Sequence, residues 1–299
     1  MDLSSGDSRR PGLFSLFQAH QGDVKVSSER VAALAADVSV DLADADRARL
    51  REWADELSFW EEYARIYVNL EKAQPYSNLR RAFRQLIRPK PQQVWLDAGC
   101  GPARMALEVW EASGRSLDAI VGVDVVLQPA ERTIAQQEVP LPLELKCAHL
   151  GEKLPFPDQY FDGIIANLIL PYVMDFEGSR GKNALRRVLE EMHRLLKPAG
   201  RLVWSTPIHG VRFEWVFLAS LPDMLNIFRY FIDKDFSRIA QGARILKHAL
   251  CIQRKGRSGA YTFLGRHELE ALLGEIGLLP QEWRRTFAQQ AWVISTQKI

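Results

Sequence analysis

The sequence predicts an α/β fold in which a doubly wound, mostly parallel sheet carries helices on its faces. Between residues 92 and 206, short apolar runs such as "QVWLDA" alternate with helical patterns such as "RMALEVWEAS", which is typical of a parallel sheet. The first run passes into a turn with two glycines, as ligand-binding turns of such sheets do. A helix and two strand-like runs end the sequence, and we expect a C-terminal antiparallel strand there. The expected fold is Rossmann-like.

The patterns divide the chain into five parts. We expect a mobile N-terminal extension, a helical cap, a cofactor-binding core, a helical insertion or lid, and a C-terminal helix with strands that complete the core. Their ranges are 1–41, 42–90, 91–207, 208–258 and 259–299. The extension is polar and glycine-bearing. The cap has Trp53, Leu57, Trp60 and Ala64 on one helical stripe.

Composition and charge narrow the classes of protein. With 299 residues, of which 47% are hydrophobic, the chain can bury a large core. The net charge of +2 argues against nucleic acid as a partner. Cys100, Cys147 and Cys251 lie far apart without a CxxC pair, so we expect no disulfide, no metal site and a cytoplasmic location. We also expect no signal peptide and no transmembrane segment.

The turn in "VWLDAGCGPAR" indicates a binding site. Gly99 and Gly101 let a ligand approach the backbone closely. The GxGxxG turn that binds dinucleotides is incomplete, because Arg104 stands at its third glycine. Asp97 would repel a pyrophosphate and attract an ammonium group. The turn therefore favours a cationic ligand that resembles an amino acid.

Five segments, in order, resemble the class I S-adenosylmethionine-dependent methyltransferases over about residues 92–206. They are "LDAGCGPA", "IVGVD", "LPFPDQYFD", "GIIANLIL" and "MHRLLKPAGRLVWSTP". The resemblance implies S-adenosyl-L-methionine as cofactor and in-line transfer of its methyl group. It also implies a set of cofactor-binding residues. These are Asp97, Ala98, Gly99, Cys100, Gly101, Asp124, Val125, His149, Leu150 and Asn167.

The resemblance gives these positions different roles. Asp97 and the glycine turn hold the methionine end, Asp124 accepts the ribose hydroxyls, and Val125 lies against the adenine. His149 and Leu150 face the adenine edge, where many relatives have an aspartate followed by an apolar residue. We expect a neutral His149 to accept a hydrogen bond from the adenine amine. The alternative for His149 is a turn residue without a ligand contact.

Methyl transfer asks the protein to align the acceptor, exclude water and sometimes remove a proton. The resemblance also implies that Asn167, after the fourth expected strand, lies where the methyl group is expected to emerge. The candidates for proton removal are Tyr172 and Asp175, which follow the same strand, and His209, which follows the fifth. A structural role is the alternative for His209.

Residues outside the core bear on the acceptor. The insertion "RFEWVFLASLPDMLNIFRYFIDKDF" has a broad apolar helical stripe, and basic residues follow it. We expect the cap and the insertion to meet above the carboxyl ends of the strands and to enclose a small, hydrophobic or lipid-like acceptor. Tyr63, Tyr67, Trp215 and Phe228 would form its wall. A packed lid with a solvated basic face and peripheral membrane contact are the alternatives.

Three classes of function stay open on the sequence. A methyltransferase for a small apolar acceptor leads. A methyltransferase for RNA or protein has only the basic stretch 238–257 in its favour. A non-catalytic protein with the cofactor fold is disfavoured, because it would need neither Asp97 nor Asp124.

Overall fold

The computed structural model describes residues 10–70, 73–137, 140–224 and 237–299, and its main feature is a seven-stranded sheet. The strand order is β3-β2-β1-β4-β7-β9-β8, and β9 runs antiparallel to both of its neighbours while the other pairs are parallel. The strands are β1 (Val94–Ala98), β2 (Ala119–Asp124), β3 (Leu143–Cys147), β4 (Phe161–Ala166), β7 (Leu196–Pro207), β8 (Leu278–Thr286) and β9 (Ala291–Lys298). The expected fold class, with its reversed C-terminal strand, is confirmed.

Helices cover both faces of this sheet, and a short hairpin flanks it. The helices are α1 (Leu13–Gln21), α2 (Ser28–Ala36), α3 (Asp44–Leu70), α4 (Gln74–Ile87), α5 (Arg104–Ala112), α6 (Gln128–Ala135), α7 (Lys182–Leu195), α8 (Phe213–Met224), α9 (Ser237–Arg257) and α10 (Arg266–Ile276). The hairpin pairs β5 (Asp175–Phe176) with β6 (Ser179–Arg180). In the described ranges, no helix is both long enough and apolar enough to cross a membrane.

Side chains of β1 alternate between the two faces, as a strand requires. Trp95 packs in the core that α4 and α5 cover, whereas Leu96 packs in the core that α7 and α10 cover. A Cβ atom at Gly163 of neighbouring β4 would lie 2.4 Å from the Trp95 ring. The ring therefore needs a glycine beside it, and the two residues fix the contact between the central strands.

The N-terminal segment differs from the expected mobile extension. Helices α1 and α2 pack against α3, and Phe17, Val31 and Leu50 are fully buried between them. The Ser15 hydroxyl also donates a hydrogen bond of 2.6 Å to the Glu152 carboxylate. The apolar positions of α1 are too few to reveal this packing in the sequence, because their partners lie on α3.

The cap and the insertion meet, as we expected. Helix α3 contacts α9, and α8 packs on both α9 and α4. These helices border the loops that follow β1, β2 and β4, so they lie over the carboxyl ends of the strands. The apolar stripe of the insertion continues through Phe228, which lies outside the described residues.

Candidate active site

The loop after β1 is folded tightly against the neighbouring strand. The backbone N–H groups of Gly99 and Cys100 donate to the Val123 carbonyl over 2.8 and 3.0 Å. Gly99 has a φ of +69°, and a Cβ atom there would lie 2.5 Å from the Ile169 side chain. A side chain at this position would both strain the backbone and collide with Ile169, so the turn requires its first glycine.

Asp97, the next-to-last residue of β1, is a buried carboxylate at the base of this loop. Its side chain is 2% exposed and accepts a hydrogen bond of 3.0 Å from the Ala106 N–H in the first turn of α5. Burial raises the pKa of Asp97 to about 7, and the nearby Asp124 charge adds to the rise. The loop thus begins at a carboxylate that lacks the stabilisation water would give it.

Asp124 ends β2 and lies beside the same loop. Its two oxygens accept hydrogen bonds from the Gly101 N–H, at 2.9 Å, and the Val126 N–H, at 3.0 Å. Burial raises the pKa of Asp124 as well, against the lowering effect of these bonds. The two carboxylates and both glycines of the loop line one cavity, together with Cys100.

His149 follows β3 and faces the same cavity. Its Nδ1 accepts a hydrogen bond of 3.2 Å from the Gly151 N–H, and burial lowers its pKa to about 4. The ring is therefore neutral with its proton on Nε2, and the Trp53 ring packs 5.3 Å from it. This geometry makes Nε2 a donor, in contrast to the expected acceptor, because the backbone of the turn already uses the other nitrogen.

Asn167 follows β4 and is held by the Ser205 hydroxyl of β7. The Ser205 hydroxyl donates to Asn167 Oδ1 over 2.8 Å and accepts from the Leu168 N–H over 2.8 Å. Asn167 lines the cavity next to the glycine loop. Ser205 is fully buried, so its hydroxyl holds the Asn167 amide in this orientation.

The cavity has a volume of about 300 Å³ and lies between the sheet, the cap and the lid. Its floor carries the polar groups described above, whereas most of its wall is apolar. The wall residues from the cap and the lid include Trp53, Leu57, Trp60, Tyr63, Phe213, Val216, Phe217, Ile245, Ala249 and Ile252. A volume of this size is at the lower end of ordinary small-molecule sites.

Only part of the expected aromatic wall has a described position in the cavity. Tyr63 lines it, and its hydroxyl lies 3.0 Å from the Tyr76 hydroxyl. Trp215 does not line it, since its side chain is 49% exposed on the outer side of α8. The side chain of Tyr67 and residue Phe228 lie outside the part of the chain that the structure describes. The expectation for Trp215 is wrong because α8 is apolar on both sides.

The three candidates for proton removal fall in different places. Tyr172 lines the cavity, with its ring 5.4 Å from Trp60 and 4.9 Å from Tyr261. Asp175 also lines it, but its carboxylate is held by Arg49 through bonds of 2.7 and 3.1 Å. That pairing occupies both oxygens of Asp175.

His209 is not part of the cavity lining, and its side chain is exposed. Its Nδ1 lies 3.1 Å from the Phe263 carbonyl oxygen, which holds the ring toward the C-terminal part of the chain. The expectation that His209 removes a proton is therefore not supported. A position just after a strand gives a residue's location but not the direction of its side chain.

Sequence reasoning missed a polar cluster in the cavity wall. Glu56 of α3 lines the cavity and accepts hydrogen bonds from Trp60 Nε1, at 2.7 Å, from the Tyr261 hydroxyl and from Lys255 Nζ. Lys255 belongs to α9, so this cluster joins the cap to the lid. Lys255 and Tyr261 lie 199 and 205 residues from Glu56 in the sequence, so no local pattern could have connected them to it.

The charges of the floor suit a positively charged ligand. Asp97 and Asp124 both have pKa values that burial raises, so a cation between them would favour their ionised forms. A Cβ atom at Gly101 would meet no atom within 4 Å, so the backbone of the loop borders open space. S-adenosylmethionine carries a sulfonium and an ammonium group, and the residues present fit this cofactor.

Comparisons with known proteins agree with this fit. Residues 96–204 match a family described as a methyltransferase domain. A demethylmenaquinone methyltransferase from Mycobacterium marinum is 30% identical over 135 residues, which are 44% of this chain and 50% of that protein. A malonyl-(acyl-carrier protein) O-methyltransferase from Pseudescherichia vulneris is 24% identical over 211 residues, which are 65% of this chain and 75% of that protein. The chain thus covers about half of the first relative's length.

A solved structure has the same fold. The N-methyltransferase NodS from Bradyrhizobium japonicum WM9, in complex with S-adenosyl-L-homocysteine, has a TM-score of 0.50 at 12% identity and covers 77% of this chain and 90% of its own. At that identity the similarity concerns the fold alone. The matched residues run from β1 to β7 and include the carboxylates of Asp97 and Asp124, so residues 96–204 are similar to a methyltransferase domain.

Proposed function

We propose that this chain transfers the methyl group of S-adenosylmethionine to a small, apolar acceptor. One observation carries the proposal: a cavity with the buried carboxylate of Asp97 and the half-buried carboxylate of Asp124 in its floor, and an apolar, aromatic wall made by cap and lid. The floor suits a cationic cofactor, and the wall suits a hydrophobic acceptor that must be kept from water.

The cofactor would lie across the ends of β1, β2 and β3. The ammonium group would be placed at Asp97 and the loop of Ala98, Gly99, Cys100 and Gly101. The ribose hydroxyls would donate to Asp124, and Val125 and Leu150 would pack against the adenine. His149 would donate its Nε2 proton to a ring nitrogen of the adenine, given the hydrogen bond at its Nδ1. Arg104, which also lines the cavity, would pair with the methionine carboxylate.

When bound, the cofactor supplies a methyl group already activated by the positive sulfur. The protein's contribution is then mainly alignment and exclusion of water. Asn167, held by Ser205, and Tyr172, packed against Trp60, would border the transferred group and orient the acceptor. Tyr172 is also the better candidate for proton transfer, since Arg49 holds the carboxylate of Asp175.

The chemical class of the acceptor follows from the wall. Trp60, Tyr63 and Phe217 are large aromatic groups, and Val216 and Ile252 add aliphatic surface. Such a wall favours a flat or extended apolar molecule. One relative is named for demethylmenaquinone and the other for a malonyl-acyl-carrier protein, so the names differ in acceptor. We place the reaction in the cytoplasm, because Cys100 and the two other cysteines are free thiols, as a reducing compartment favours.

Methyl transfer can be tested with S-adenosylmethionine that carries a labelled methyl group. The purified chain would be incubated with quinols, phenols and lipid extracts, and separately with RNA and with protein. We expect label in the apolar small-molecule fraction. Label only in RNA or protein, or none with any acceptor, would contradict the proposal.

A cavity-filling variant separates acceptor binding from cofactor binding. Ala249→Trp places a large ring in the apolar wall, so we expect a higher KM for the acceptor, about tenfold or more, with unchanged affinity for S-adenosylmethionine. Ala112→Trp, at the exposed end of α5, is the matched control. Equal kinetics in the two variants would place the acceptor elsewhere.

A further inference from the structure

Helix α8 is apolar on the side that faces away from the cavity as well as on the side that faces it. Phe213 and Val216 are buried against the cavity. On the outer side, Trp215 and Leu218 are each 49% exposed, and Pro222 is exposed too. A helix that is hydrophobic all round is normally covered on all sides. The outer side of α8 is therefore a surface that needs a partner.

Helix α9 lies beside α8 and adds positive charge to the same surface. Ile245 and Ile252 turn toward the cavity that α8 also lines, so the outer sides of the two helices face the same way. The outer side of α9 carries exposed Leu250, at 39%, between exposed cationic residues. These cations are Arg244, Lys247, Arg254 and Arg257. We call the outer sides of α8 and α9 together the lid surface.

The cations on the outer side of α9 have no acidic partner among the described residues. Across the described part of the chain, many exposed arginines are paired, such as Arg186 with Glu275 at 2.6 Å and Arg180 with Glu52 at 2.5 Å. In the ranges that the structure describes, Arg244, Lys247, Arg254 and Arg257 make no ion pair. Arg212, just before α8, is paired with Glu214 at 2.9 Å and lies over the Trp215 ring at 5.5 Å. The lid surface therefore combines exposed apolar groups on both helices with cations on α9 that are unpaired within the described ranges.

This combination identifies the kind of partner. Nucleic acid would be attracted by the cations but would not bury Leu218 and Leu250. A neutral protein partner would cover the apolar groups but would leave the cations without counter-charges. An anionic lipid bilayer offers both, because its phosphates meet the basic residues while Trp215 and the leucines enter the interface. Trp is also a residue type that favours the membrane interface.

We propose that the lid surface docks on an anionic lipid bilayer, from which the apolar acceptor enters the cavity between α8 and α9. The proposal rests on the proposed function, since the inner sides of the same helices form the acceptor wall. Docking would bring the bilayer to the outer side of the wall that Val216 and Ile252 line. An apolar acceptor could then reach the cavity without crossing water.

Sedimentation of the full chain with lipid vesicles tests the docking. We expect the chain to sediment with vesicles of phosphatidylglycerol and phosphatidylcholine, and much less with phosphatidylcholine alone. Trp215→Ser with Leu218→Ser removes the apolar contact, and Lys247→Glu with Arg254→Glu reverses the charge. Each double variant should reduce partition onto the anionic vesicles by about tenfold or more, and added salt should reduce that of the wild type.

Matched controls lie away from the lid surface. Leu279→Ser changes an apolar side chain of β8 that is 41% exposed. The double variant Lys90→Glu with Lys182→Glu reverses two exposed charges. Both controls should sediment as the wild type does. If they lose as much binding as the lid variants, or if the wild type does not sediment, docking through the lid surface is wrong.

Two further measurements separate other outcomes. Light scattering that shows a dimer in the wild type and a monomer in Trp215→Ser with Leu218→Ser would assign the surface to a second copy and overturn the proposal. Calorimetry with S-adenosylmethionine on the same samples separates the two claims. Cofactor binding without vesicle binding rejects docking alone, and vesicle binding without cofactor binding rejects the proposed function.

Discussion

The Asp97 carboxylate should have opposite effects on cofactor binding and on the stability of the free protein. Its side chain is 2% exposed, and burial raises its pKa to about 7. A carboxyl group with a raised folded-state pKa stabilises the fold below its unfolded pKa, near 4, and this contribution is lost as the pH rises through 7. At pH 8 the ionised Asp97 therefore lowers the stability of the free protein, whereas a cationic ligand would be attracted to it.

Asp97→Asn should raise the free energy of unfolding of the free protein at pH 8 by about 2 to 4 kcal/mol, and by much less at pH 5. The amide oxygen of asparagine can still accept the bond from the Ala106 N–H. The same variant should bind S-adenosylmethionine more weakly, because the charge is lost. Urea unfolding at the two pH values and calorimetry measure these effects. A variant that is less stable than the wild type at pH 8 would contradict this account of Asp97.

Asp124 has a different role, because its charge is already shared with the Gly101 and Val126 N–H groups. Asp124→Ala removes the acceptor for the ribose hydroxyls, which typically costs 1 to 3 kcal/mol, or about tenfold to a hundredfold in affinity. Calorimetric titration with S-adenosylmethionine measures the loss. Asp118→Ala, exposed just before the same strand, is the control. Unchanged affinity in a folded Asp124→Ala protein would contradict the assignment of Asp124 to the ribose hydroxyls.

At the scale of residues, the sequence could predict what depends on local order. Asp97, Gly99 and Asp124 belong to strand ends and a turn whose spacing is visible in the chain. Glu56 could not be predicted as a cavity residue, since two of its hydrogen-bond partners, Lys255 and Tyr261, are distant in the sequence. The direction of the His149 hydrogen bond was also out of reach, because it depends on the conformation of the turn at Gly151.

A half-buried ion pair between Lys255 and Glu56 joins α9 to α3 at the cavity wall, and His248 of α9 also lies 3.3 Å from the Glu62 carboxylate of α3. Lys255 Nζ contacts the Glu56 carboxylate and lies 5.1 Å from the ring centroids of Phe59 and Tyr261. Glu56 is 9% exposed, so loss of the cation would leave a poorly solvated charge. The pair therefore holds the lid against the cap.

Lys255→Met should loosen α9 and raise the KM for the acceptor several-fold, while the affinity for S-adenosylmethionine stays the same, because the cluster lies in the acceptor wall. We expect faster backbone hydrogen exchange over residues 245–257, with a cost of about 2 kcal/mol in local stability. Glu56→Gln with Lys255→Met should recover part of this loss, since no unpaired charge remains. Arg254→Met, exposed on the same helix, is the control. Unaltered exchange in Lys255→Met would show that the pair does not hold the lid.

At the scale of elements, periodicity predicted helices better than it predicted their surroundings. The cap stripe of Trp53 and Leu57 was visible, and both residues are buried. The packing of α1 was not visible, because Phe17 is buried by residues of α3. The outward position of Trp215 could not be predicted, since a helix apolar on both sides gives no signal of which side faces the core.

In the proposed function, the whole molecule combines a cofactor floor from the sheet with an acceptor wall from segments outside it. The fold class was predictable because strands and helices alternate regularly and the final hairpin adds one reversed strand. The cavity was predictable only as a region, because its wall depends on how α3, α8 and α9 pack together. Its shape, about 300 Å³ between these helices, required the structure.

Our central claim is that the reactive end of the bound cofactor faces the aromatic wall of the cavity. A crystal structure with S-adenosyl-L-homocysteine tests it most directly. The account predicts the ribose hydroxyls on Asp124, the adenine beside His149, and the sulfur toward Asn167 and Tyr172. The space beyond the sulfur should open on Val216 of the lid. A nucleoside bound away from Asp124, or a sulfur that faces bulk solvent and not this cavity, would contradict it.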